Sequence, residues 1–478
     1  MGGSSAGRSR RSAVRALVRI AAVTLSGAVL YFAGLVNGMV IYRPDPRGAT
    51  LVVAAIAVAA TMVVLALAGD GHGDAASMPA RRYVAVHRVA WLVASLMALV
   101  GMSWLVAAPR EHGGDWTPYH NDAIALNECA ARSFLAGGDP YADLDIFTCY
   151  ARLGIGPDRT TPLRQGLFAR VGLYPTDDEL DRVWAIRSHD SAANAEFESK
   201  LSYPALSFVL IAPWVALGLD TNVLYVLCLL AAMGLILARA PSGLRPFAFT
   251  GLLGAAGLAA FTVGGSVDLL YALPLVAAWL WREHGWSGIA FGIAIAAKQL
   301  AWFFAPFLFI AVVTEQGWRT ALRRSVEALA VFALTNLPFI AADPVAWVAG
   351  VLAPVRDPMF PRGAGVIFLA TNGLLPLWPQ VTYTLAEGAG LLICVAIAWR
   401  QRRRSPELGI VLPLLPLFFA YRSLFSYFFL LPLFAFAGLA RLPFGELSAA
   451  AARAAGGLTF FALPRSTGSA PDSAPATD

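Results

Sequence analysis

Residues 120–141 read HNDAIALNECAARSFLAGGDPY and lie in the one long polar segment, 109–200, of an otherwise apolar chain. Asp122 stands beside His120 and Asn121, and an apolar helical pattern follows through Ile124, Leu126, Ala130, Ala131, Phe134 and Leu135. Gly137-Gly138 stops the helix and Asp139-Pro140-Tyr141 turns the chain. An acid at the start of a helix beside a membrane suits a catalytic base. It equally suits a helix cap, since Asp and Asn are favoured there.

The rest of the chain sets the context of this stretch. Of 478 residues, 58% are hydrophobic and 14% charged, and the mean hydropathy is +0.63. Many apolar runs approach the ~20 residues that cross a bilayer. The reading is an all-α polytopic membrane protein. Segment 109–200 carries fifteen of the 30 acids and nine of the 36 Lys and Arg, a net of −6 against +12 elsewhere. An acidic long loop with basic short loops places that loop outside and the short loops in the cytoplasm. The charge of +6 therefore follows topology, and nucleic acid is not an expected partner.

Spans are expected at 14–41, 49–68 and 89–108, then at 221–238, 246–263 and 269–281. The run 286–314 reads as two short spans broken at Lys298, because one span would put Arg319, Arg323 and Arg324 outside. Spans at 325–341, 381–399, 406–421 and 424–440 complete the set. The total is about twelve, in a range of 10–13, with both termini cytoplasmic. The runs 203–218 and 365–377 are short, and the first reads as an interfacial helix. A short helix is expected around 176–195. The chain divides into N-terminal spans (1–108), an outer loop with interfacial helices (109–200), a membrane core (201–441) and a cytoplasmic, partly disordered tail (442–478).

Cys129 and Cys149 both lie in the polar loop and pair if it faces an oxidising space. Cys228 and Cys394 fall in apolar runs and read as packing residues. The chain has no Walker sequence, no G-x-G-x-x-G and no zinc motif. Asp139, Asp143 and Asp145 either bind a divalent ion or are solvated turn residues, the second being the expectation. No cofactor is expected.

Ionisable groups gather at the outer membrane edge: Asp122, Asp268, Lys298, Arg356, Arg362 and Arg422. Charges at that depth are costly and are functional candidates by default. Lys298 is one of two lysines among 36 basic residues, and a compact cation suits a phosphate; the alternative is a snorkelling side chain. Arg422 offers a fork to a phosphate. Asp268 opens a span, where capping is the alternative. An outer acid and membrane-edge cations fit a lipid-phosphate-linked donor attacked by an acceptor hydroxyl that the acid deprotonates.

The layout resembles the GT-C membrane glycosyltransferases, and within them the actinobacterial polyprenol-phosphate-mannose-dependent family, glycosyltransferase family 87. The similar pieces are Asn121-Asp122, the Gly137–Tyr141 turn, 264–268, Ala297-Lys298-Gln299 before Pro306, Asn336-Leu337-Pro338-Phe339, and Arg422-Ser423 with Tyr427 and Pro432. The resemblance covers 90–440 and implies a GT-C-like fold with a long extracytoplasmic first catalytic loop. It implies inverting transfer of a sugar, mannose foremost, from a polyprenol-phosphate donor to a glycolipid, glycan or protein acceptor at the plasma membrane. Asp122 would be the base, with His120, Asn121, Tyr141, Asp268, Lys298 and Arg422 binding substrate. Two extra early spans and a long loop depart from the simplest family layout. The rivals are a flippase of a lipid-linked sugar, a glycan ligase or polymerase using a lipid-pyrophosphate donor, and a scaffold whose loop binds partners.

Overall fold

The computed structural model describes residues 4–40, 44–68, 79–111, 121–144, 146–189, 196–260 and 266–442, together with 444, 447, 449–450 and 452–454. About 75% of it is helical, with almost no strand. Among the described residues, seven helices are long and apolar enough to cross a membrane: Arg15–Val40, Pro46–Leu67, Ala80–Ser103, Thr221–Arg239, Gln299–Gln316, Trp318–Ala342 and Gln380–Gln401. The chain is an all-α membrane protein.

The expectation of about twelve spans differs from these seven for a local reason. The remaining apolar runs form short or broken helices. Residues 406–421, expected as one span, form three 3-10 pieces, Pro406–Ile410, Leu412–Leu414 and Pro416–Phe419. Pro413 and Pro416, inside the run, each lack the N–H that would continue a helix. The run 203–218 forms two fragments of four and five residues, Leu206–Val209 and Ala212–Ala216, the second with Pro213 in its first turn. Neither has the length of a span.

The first two helices, Ser4–Val40 and Pro46–Leu67, make a hairpin. Asp45 caps the second by accepting from the backbone of Arg47 and Gly48, and Pro46 opens it. Helix Ala80–Glu111 packs on Arg245–Ala259. A side chain at Gly101 would strike the backbone of Gly257, so the two helices approach as closely as small residues allow.

Two short helices position the site. Leu269–Leu280 and Ser287–Ala297 pack side by side. Asp268 immediately precedes the first and Lys298 immediately follows the second, so both lie at one end of the pair. At the other end, Arg282 is fully buried and binds Glu407 (2.7 Å) and Glu315 (2.5 Å). Trp279 Nε1 donates to Glu407 at 2.8 Å, and Arg441 adds pairs to Glu283 (2.7 Å) and Glu315 (3.3 Å). Eleven helical residues separate the ends, roughly 16 Å. This network ties together segments distant in sequence, and each buried carboxylate in it has a cation.

The polar segment 109–200 is compact among its described residues. A disulfide joins Cys129 of helix Asp122–Leu135 to Cys149 of helix Ile146–Arg152. Gly137 takes φ 81°, a left-handed conformation that ends the first helix at low cost for glycine. The helix expected around 176–195 is Asp177–Arg187, with Thr176 and Glu179 forming a capping box; 190–195 lie outside the described residues. Arg187 grips the fully buried Glu196 through two bonds of 2.6 and 2.8 Å, and Glu196 also accepts from Leu167 N. Bridges pair Pro162 with Phe197 and Leu163 with Met359, tying segment 109–200 to the chain around 359.

Candidate active site

Helix Asp122–Leu135 begins at the candidate base, and its cap is the preceding residue. Asn121 Oδ1 accepts from Ile124 N at 3.1 Å. The capping role therefore belongs to Asn121. The Asp122 carboxylate accepts from Ala123 N at 2.9 Å through one oxygen and from the Thr161 hydroxyl through the other. Tyr150, fully within the outer segment, stands with its hydroxyl 3.4 Å from the Asp122 carbonyl oxygen; burial holds its phenol well above the usual range.

Asp122 and Asn121 face a cavity of about 330 Å³. Asp268, Lys298 and Arg422 line the same cavity. Five of the seven candidate residues, drawn from stretches some 300 positions apart, thus meet at one place.

Lys298 sits where the helix breaks. It has extended geometry, φ −157° and ψ 142°, between helix Ser287–Ala297 and the 3-10 turn Gln299–Phe304. The break expected at Lys298 is where the chain leaves the helix. Lys298 pairs with Asp268, which is 2% exposed, and its Nζ stands 5.1 Å from the centre of the Tyr203 ring. Asp268 makes no side-chain cap for the helix it precedes, so its partner is Lys298. The neighbouring Gln299 Nε2 donates to the carbonyls of Ser202 (2.6 Å) and Val351 (2.9 Å), fixing the lysine's backbone between two segments distant in sequence.

Arg422 lies on a two-residue strand, Arg422–Ser423, parallel to Arg362–Gly363. Its Nη2 is 3.5 Å from Thr161 Oγ1, the same oxygen that donates to Asp122. Acid, hydroxyl and cation form a short chain along the cavity wall.

Other candidates are placed differently. Tyr141, expected to bind substrate, does not line this cavity. It is buried against Phe208, Phe339 and Trp347, because its apolar ring completes an aromatic cluster. Its hydroxyl donates to the carbonyl of Tyr203, a lining residue, at 2.8 Å. His120 lies outside the described residues. Arg356 is exposed, and Arg362 is stacked on Tyr174 at 4.8 Å; neither lines the cavity. Asp139 accepts from Tyr141 N at 2.9 Å, a turn role, while Asp145 lies outside the described residues. Among the described residues no group of three or more His, Cys, Asp or Glu is placed to hold a metal ion.

Three lining residues were missed in the sequence. Thr161 carries no motif. Glu198 lies in the loop after Glu196, and its N–H donates to Thr161 O at 2.8 Å. Burial and the Asp122 charge push the Glu198 carboxyl up to about 7, against the pull of Arg422. Glu387 had a readable signal: it is the single acid in the apolar run 381–399.

No protein-family model matches the chain, and neither a curated protein nor a solved structure matches it.

Proposed function

We propose that the chain is an inverting, polyprenol-phosphate-sugar-dependent hexosyltransferase of the plasma membrane, GT-C-like in architecture, with mannose the foremost donor sugar. The acceptor is an extracytoplasmic glycolipid, glycan or protein. The observation that carries this reading is the convergence of Asp122, freed from capping by Asn121, with Lys298 and Arg422 on one cavity of a membrane protein. A membrane protein whose pocket gathers several carboxylates with two cations, Arg422 and the Asp268-paired Lys298, has the parts for transfer from an anionic lipid.

In the proposed step the acceptor oxygen attacks the sugar C1 on the face opposite the phosphate. The new C–O bond forms as the C1–O bond to phosphate breaks, and that electron pair leaves on the phosphate oxygen. The acceptor proton goes to Asp122. Lys298 and Arg422 offset the charge that grows on the leaving phosphate. Thr161 orients the Asp122 carboxylate. Apolar lining from Leu300, Trp302, Phe303, Val351 and Leu352 suits the first isoprene units of the lipid. No resident cofactor enters this step. The cavity faces outward and both termini lie in the cytoplasm in this reading, which the charge asymmetry of the loops supports.

The test supplies membranes containing the protein with radiolabelled polyprenol-phosphate mannose and native acceptors. Transfer of label with inversion of the anomeric centre supports the proposal. Retention of configuration, or labelled lipid moved across the membrane intact, opposes it.

A further inference from the structure

The cavity has a wall that the proposed chemistry does not use. Gln380, Thr384 and Glu387 of helix Gln380–Gln401 all line it. At about 100° per residue, the three fall within about 60° of one another around the axis. Val381, Leu385 and Leu392, between 61% and 72% exposed, cluster about 100° away and suit lipid. The helix is thus a membrane-side wall with one polar stripe turned to the cavity.

Glu387 is half-buried, and no hydrogen bond or ion pair to it is found among the described residues. A carboxyl in an apolar span without a protein partner is costly unless a ligand supplies one. The cavity is also polarised. Lys298 and Arg422 lie on other segments and suit a phosphate, whereas a carboxylate two turns along the same helix face from an amide suits neutral hydroxyl donors.

We propose that Gln380 and Glu387 form a hydroxyl-recognition wall that holds a neutral, polyhydroxylated ring. This deepens the glycosyltransferase reading and rests on it for one point, that the ring is the sugar of the donor. Glu387 accepts hydrogen bonds from ring hydroxyls, and Gln380 both donates and accepts. The ring then lies along the wall while the phosphate sits at Lys298 and Arg422.

The test measures binding to the purified full-length protein in lipid nanodiscs. The probes are polyprenyl-phosphate mannose, polyprenyl phosphate without sugar, and octyl mannoside, which is neutral. Wild type is compared with Glu387→Leu and Gln380→Leu, both compatible with a membrane span. The wall predicts that wild type binds the mannosylated lipid about tenfold tighter than the bare phosphate. It predicts that each variant loses that preference while holding polyprenyl phosphate as wild type does. If the preference survives but octyl mannoside binds about tenfold more weakly to the variants, the ring is the acceptor's and the wall stands. Variants that bind all three probes as wild type does overturn the wall, as do variants weakened equally for all three. If wild type binds neither phosphorylated lipid, the donor reading fails while octyl mannoside still decides the wall.

Discussion

Thr161 gives its hydroxyl hydrogen to the carboxylate of Asp122. The same oxygen lies 3.5 Å from Arg422 Nη2, so one side chain spaces the acid from the cation. Thr161→Val keeps the shape and removes the hydroxyl. Its kcat for transfer is expected to fall by about tenfold to a hundredfold, with little change in KM for donor. Thr161→Ser is expected to retain most of the rate. Equal loss in both variants would assign Thr161 to packing.

Lys298 and Asp268 are a buried pair, the acid being 2% exposed. Lys298→Met strands that acid, and an unfolding measurement should show a loss of about 3 kcal/mol. Adding Asp268→Asn removes the stranded charge and should recover most of the stability. Donor binding should stay lost in the double variant, because the cation is gone. A double variant that binds polyprenyl-phosphate mannose like wild type would restrict the pair to a structural role.

Glu198 sets a pH dependence of stability. Its carboxyl rises from the usual 4.5 to about 7 in the folded protein. Between these values the folded state holds the proton more tightly than the unfolded state, so its contribution is present at acid pH and is lost as pH rises through this window. The unfolding midpoint of wild type, relative to Glu198→Gln, should therefore fall from pH 5 to pH 7 and level off above it. Parallel curves for the two proteins across that range would refute the shift.

The disulfide between Cys129 and Cys149 closes a stretch of 20 positions within the outer segment. It binds the helix that begins at Asp122 to the one that bears Tyr150. Cys129→Ser with Cys149→Ser is expected to lower the stability of this segment by about 3 kcal/mol. Limited proteolysis should then cut between 121 and 152 first. Unchanged cleavage would mean that packing alone holds the segment.

Much of the site was legible because membrane-edge charge is rare and therefore conspicuous. Lys298 stood out as a lysine among arginines, and its helix break followed from the charge topology of its neighbours. Asp122 and Asn121 were legible as a pair, but which of the two capped the helix was decided by one hydrogen bond. Tyr141 shows the opposite case. Its motif drew attention, yet an aromatic ring beside Phe208 and Phe339 gains more from burial than from facing the cavity. Thr161 and Glu198 were illegible because a single loop residue acquires meaning only through a partner distant in sequence. The proline-broken run 406–421 had the hydropathy of a span, and hydropathy does not register missing N–H groups.

The central claim is that Asp122 accepts the acceptor's proton. The direct measurement compares Asp122→Asn with wild type, both at equal levels in the membrane, in transfer from radiolabelled polyprenol-phosphate mannose. Asn preserves the bond to Ala123 N but is a far weaker base. The account predicts label transfer by wild type, transfer reduced by about a hundredfold or more in the variant, and donor binding unchanged. Transfer at the wild-type rate by Asp122→Asn would contradict it.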